Sequence, residues 1–123
     1  MPTILVVDDA KTMRDTLRDL LAPHGFDIYE ADNGESGLDM LGKQAIDLVI
    51  SDLNMPGMDG IETLQRLRAL PGCASLPVIA MTADATEAHR KRYLAAGMNG
   101  YLAKPLTPEA VAEMLRLYLP AAR

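Results

Sequence analysis

The sequence predicts an α/β domain built on a five-stranded parallel sheet, order 2-1-3-4-5, with helices on both faces. Three observations carry this. Apolar runs and helical patterns alternate five times along 123 residues, the signature of strands that run parallel. The runs Ile4-Leu5-Val6-Val7, Leu48-Val49-Ile50 and Val78-Ile79-Ala80-Met81 are continuous, as in strands covered on both faces, whereas Asp27-Ile28-Tyr29-Glu30 alternates and Tyr101-Leu102-Ala103 is short. The last two therefore read as edges, and right-handed crossovers then give the order 2-1-3-4-5. Finally, polar residues follow four of the five runs: Asp8-Asp9, Asp52, Thr82 and Lys104-Pro105. In such sheets ligands sit beyond the carboxyl ends of the strands, at the switch point between strands one and three, where Asp8, Asp9 and Asp52 fall.

The elements follow in order. After the first strand and Asp9, a helix carries Met13, Leu17, Leu20 and Leu21 on one stripe and ends near Gly25. The second strand, about Phe26–Ala31, gives way at Asn33-Gly34 to a short helix holding Leu38 and Leu41. Beyond the third strand lies Asn54-Met55-Pro56-Gly57-Met58-Asp59-Gly60, rich in turn residues. A helix with Ile61, Leu64 and Leu67 follows and breaks at Pro71-Gly72. The fourth helix, about Thr86–Ala96 before Gly97, is apolar mainly through alanine, which predicts weak docking; its run His89-Arg90-Lys91-Arg92 reads as a solvated face. The last helix has Thr107 as N-cap and Pro108 at its first position, with Val111, Met114, Leu115 and Tyr118 on one face.

Composition bounds the function. With 24% charged and 49% apolar residues, 1–123 reads as one globular domain. A net charge of −5 argues against a nucleic-acid footprint, which needs a basic face. No apolar run approaches the ~20 residues of a membrane span. The chain enters a strand at once, so no signal peptide is expected, and the single Cys73 cannot form an internal disulfide. A cytoplasmic location is the expectation.

Three carboxylates, a hydroxyl and an ammonium at one sheet edge are a specific chemistry. The carboxylates repel each other unless a cation sits among them, and an all-oxygen ligand set suits Mg²⁺. A metal, a lysine and a hydroxyl around one carboxylate make a phosphoryl-transfer site.

On Val6-Val7-Asp8-Asp9, Ser51-Asp52-Leu53-Asn54-Met55-Pro56-Gly57-Met58-Asp59-Gly60, Met81-Thr82-Ala83 and Tyr101-Leu102-Ala103-Lys104-Pro105, the chain resembles the receiver domains of two-component response regulators. The resemblance covers the whole chain and includes the single-domain, chemotaxis-type members. It implies the flavodoxin-like receiver fold and a phosphoacceptor switch loaded by a histidine kinase or histidine phosphotransfer protein. It implies Asp52 as the phosphoacceptor. Mg²⁺ would be held by Asp9 directly, by Asp8 directly or through a water, by Asp52, and by the backbone carbonyl of Asn54. Thr82 and Lys104 would each reach a phosphoryl oxygen, Ala83 leaving room for the donor, with a cis peptide before Pro105. Tyr101 takes the place of the family's switch aromatic, turning inward as Thr82 moves, and Asp84 with Asn54 tunes hydrolysis. The output partner would dock on the face formed by the fourth helix, fifth strand and fifth helix, on a monomer that contacts neither nucleic acid nor membrane. Such a domain phosphorylates and dephosphorylates its own aspartate, so it is not a conventional enzyme.

Two other classes fit less well. A small-molecule phosphatase of the aspartyl-phosphate type places its nucleophile after the first strand and adds a cap, whereas Asp52 follows the third. A flavin carrier must cradle a phosphate in its first turn, which Asp8-Asp9 would repel. Within the favoured class the setting has two forms: a stand-alone regulator, or a receiver excised from a hybrid kinase or multidomain regulator.

Overall fold

The structure, a computed structural model, describes residues 2–52, 60–82 and 86–119. Its elements are β1 (Thr3–Val7), α1 (Lys11–Leu21), β2 (Asp27–Ala31), α2 (Gly34–Lys43), β3 (Leu48–Asp52), α3 (Gly60–Arg68), β4 (Val78–Thr82), α4 (Glu87–Ala95), β5 (Gly100–Ala103) and α5 (Pro108–Tyr118). All four strand pairings are parallel, in the order β2-β1-β3-β4-β5. The expected architecture is the observed one.

Alternation along each central strand divides the core into two layers. Ile4, Val6, Leu48, Ile50, Ile79 and Met81 point to the side covered by α1 and α5, where they meet Leu17, Leu21, Val111, Met114 and Leu115. Leu5, Val7, Val49, Val78 and Ala80 point the other way, onto Leu64 and Leu67 of α3, Tyr93 of α4 and the partly buried Leu38 and Leu41 of α2. Each such leucine or isoleucine contributes about 1.5–3 kcal/mol by leaving water. With both faces sealed, the strand ends are where this sheet can present polar groups.

Local chemistry sets the boundaries. The α-helical pattern of α1 stops at Leu21, earlier than the sequence indicated, because Pro23 has no N–H to donate; a 3₁₀ turn, Ala22–His24, carries the chain to Gly25 at φ 77°. Asn33 caps α2 by accepting from Ser36 N (2.8 Å), and Thr107 caps α5 by accepting from Ala110 N (3.1 Å). Pro108 opens α5 as expected. Asp9 does not cap α1: the capping position is Ala10, without a side-chain bond.

Helix α4 docks through an aromatic rather than through alanine. Tyr93 is buried in the α3-side core, while Arg90, Lys91 and Arg92 are exposed as expected and Leu94 stays in solvent. Cys73, the single cysteine, is a free thiol packed into that same core. Tyr118 reaches across β5 and donates to Asn99 O (2.7 Å), a path open because Gly100 has no Cβ; one built there would lie 2.5 Å from the tyrosine oxygen.

Candidate functional site

The carboxyl ends of β1, β3 and β4 deliver Asp8, Asp52 and Thr82 side by side, all buried, and Lys104 follows β5. Asp9 stands beside them, exposed. Carboxylate oxygens of Asp8, Asp9 and Asp52 all lie within 4.8 Å of one another. Lys104 Nζ lies 3.5 Å from Asp52 Oδ1 and 3.9 Å from Asp8 Oδ2, so the ammonium serves two of the three acids. The peptide before Pro105 is cis.

Asp8 carries most of the electrostatic tension. Its Oδ1 accepts from Ala10 N (2.8 Å), turning the chain into α1, while its Oδ2 is buried without a hydrogen-bond partner. Burial pushes the Asp8 carboxyl above the usual carboxylate range; the Ala10 amide opposes this, the Asp52 charge adds to it, Lys104 opposes it, and Asp9 adds to it. An orphaned buried oxygen among three clustered carboxylates is what a hard cation would relieve. The donor set therefore fits Mg²⁺, with Asp8, Asp9 and Asp52 as the side chains that could hold it.

Tyr101 is outside the cluster: its ring is partly exposed, with the Arg90 guanidinium of α4 5.1 Å from its centroid. The carbonyl of Asn54, with Ala83 and Asp84, lies outside the described residues.

Two residues at the site escaped the sequence reading. Arg14 Nη1 donates to Asp8 O (2.6 Å) and its Nε to Glu30 Oε1 (3.1 Å), clamping the β1–α1 turn. The signal was available as Arg14 and Arg18 one helical turn apart, opposite the lone Glu30 of an otherwise half-apolar strand. Tyr93 is the second, its hydroxyl oxygen 3.5 Å from Thr82 Oγ1. An aromatic following Arg90-Lys91-Arg92 gave no such signal.

Comparison with known proteins agrees with this geometry. The model of the response regulator receiver domain matches residues 4–116. The sensor histidine kinase RcsC of Salmonella typhi is 42% identical over 120 residues, covering 98% of this chain and 12% of the kinase. The chain thus spans about an eighth of that relative's length. Chemotaxis protein CheY-3 of Vibrio cholerae is 43% identical over 113 residues, covering 91% of this chain and 87% of that protein. Among solved structures, the receiver domain of a sensor histidine kinase from Pseudomonas aeruginosa, with magnesium coordinated in its active-site cleft, aligns with a TM-score of 0.88 at 28% identity, covering 97% of this chain and 98% of that one.

Proposed function

Because this chain belongs to the response regulator receiver domain family, the phosphoacceptor modules of two-component signalling, we propose that it takes its phosphoryl group on Asp52. The observation that supports this most is the seat of Asp52: buried at the end of β3, with Lys104 Nζ at 3.5 Å and two further carboxylates within 4.8 Å. The donor is a phosphohistidine of a kinase or phosphotransfer protein.

In the proposed reaction an Asp52 oxygen attacks phosphorus. The acyl-phosphate bond forms as the N–P bond breaks, and its electron pair leaves on the imidazole. Asp8, Asp9 and Asp52 would hold Mg²⁺, and the Asn54 carbonyl, outside the described residues, is the family's further ligand. When bound there, the cation would supply charge neutralisation for the clustered carboxylates and the incoming phosphoryl oxygens. Lys104 then moves its charge from Asp52 and Asp8 to one phosphoryl oxygen, and Thr82 donates its hydroxyl proton to another. Both partners change with phosphorylation, which supplies the differential interaction a switch requires.

The output partner docks on the α4–β5–α5 face. Leu94, Tyr101 and Leu117, the large apolar side chains exposed among the described residues, all line one cavity of about 520 Å³ there. The inward turn of Tyr101 would change that cavity's floor. No described helix is long and apolar enough to cross a membrane, and we place the domain, as a monomer, in the cytoplasm.

Radiolabelled phosphate on a histidine-phosphorylated kinase core tests the reading. Label should move to the wild-type chain and not to Asp52→Asn. Equal labelling of the variant, or hydrolysis of small phosphate esters instead, would overturn it. Similarity over nearly the whole chain to a segment of sensor kinases supports a second setting, a receiver within a longer protein. An immunoblot of native extract separates the two: a 13.3 kDa band marks the stand-alone form, a larger one the fused form.

A further inference from the structure

Tyr93 joins α4 to the phosphoryl site by a route separate from Tyr101. Its hydroxyl oxygen stands 3.5 Å from Thr82 Oγ1, at the outer edge of hydrogen-bond range, and either group can donate. Thr82 is fully buried and Tyr93 only 6% exposed, so the contact is shielded from competing water. It also links two elements, the end of β4 and the last turn of α4. On the same helix Arg90, Lys91, Arg92 and Leu94 are exposed, and Ala96 at its end is partly buried.

Resting on the reading of Thr82 as a phosphoryl-binding hydroxyl, we propose that Tyr93 is a positioning residue that acts through Thr82. It holds the Thr82 hydroxyl toward α4 before phosphorylation and yields it afterwards, so that α4 registers the state of Asp52. A threonine has one hydroxyl proton, and a change of χ1 rotamer swings Oγ1 away from its former neighbour. The same helix carries Arg90, whose guanidinium lies over the outward Tyr101 ring. Releasing α4 at Tyr93 therefore also loosens the contact that keeps Tyr101 outward, and the two aromatic positions move as one unit.

Tyr93→Phe tests this, since it removes the hydroxyl and keeps the ring that packs in the core. The 123-residue chain in Mg²⁺ is titrated with beryllofluoride, a phosphoryl mimic, and read by amide NMR shifts. With the Tyr93 hydroxyl no longer competing for Thr82, the variant should bind beryllofluoride about three-fold more tightly, with smaller shift changes along α4. In a Thr82→Ala background the same substitution should leave affinity unchanged, a cancellation that a purely structural role for the ring would not produce. Unchanged or weaker binding in Tyr93→Phe, or an effect that persists in Thr82→Ala, overturns the proposal. A wild-type chain that gives no beryllofluoride response overturns the phosphoacceptor reading, and this proposal with it.

Discussion

Asp8 is where the demands of folding and of function conflict. Its buried Oδ2 has no hydrogen-bond partner, and burial together with the neighbouring Asp52 raises its pKa. An acid whose folded-state pKa is raised costs stability that grows as pH rises above the ordinary aspartate value and is present in full above the raised one, and the cost is absent below the ordinary range. In the absence of divalent cation at neutral pH, Asp8→Asn should therefore raise the melting temperature by a few degrees, about 1 kcal/mol. The same variant should bind Mg²⁺ more weakly than wild type in a calorimetric titration. A lower melting temperature without metal would show that Asp8 is not under strain. Lys104 plays the complementary part, shared between Asp52 and Asp8 in this state. Lys104→Ala should still accept a phosphoryl group but lose most of the beryllofluoride-induced NMR shift at Tyr101. A full wild-type response at Tyr101 would remove the lysine from the switch.

At the scale of elements, the site stays in place because its turns are tied to neighbours. Glu30 of β2 accepts from both Arg14 and Arg18 of α1, and Arg14 also donates to the Asp8 carbonyl. The Arg18 hydrogen bond is the largest cause holding the Glu30 carboxyl below the usual glutamate range, with Arg14 adding to it. A depressed acid contributes stability above its unfolded-state pKa and loses it as pH falls through the folded value. Glu30→Gln should thus cost about 1 kcal/mol at pH 7, measured by urea unfolding, and the gap should close at acid pH. A gap that persisted below the glutamate range would mean packing rather than charge. The strands and their polar ends were legible in the sequence because alternation and the placement of Asp8, Asp9, Asp52 and Thr82 are local features. The α1–β2 clip was not, since its partners lie 12 and 16 residues apart and meet only after folding. The anchor of α4 was hidden for another reason: Tyr93 is a lone aromatic on a helix without an apolar stripe. The turn into α1 was equally hidden: Asp8 makes it by accepting from Ala10 N, a contact between side chain and backbone that no residue pattern announces.

Taken as a whole, the molecule is one five-stranded sheet with a core layer packed on each face and its chemistry confined to one edge. The central strands are sealed on both faces by α1 and α5 and by α2, α3 and α4, so a charge change at Asp52 can relax only along that edge, through Lys104 and Thr82. Helix α4 meets this edge at Thr82 through Tyr93, and through Arg90 it also contacts Tyr101 of β5, outside the cluster. The account stands on one metal-dependent covalent event at Asp52. Intact-mass spectrometry of the chain after incubation with acetyl phosphate tests it most directly, with Mg²⁺ or with EDTA, for wild type and Asp52→Asn. The account predicts one added phosphoryl group on the wild type with Mg²⁺, and none in EDTA or on the variant. Equal labelling of Asp52→Asn, or labelling undiminished by EDTA, would contradict it.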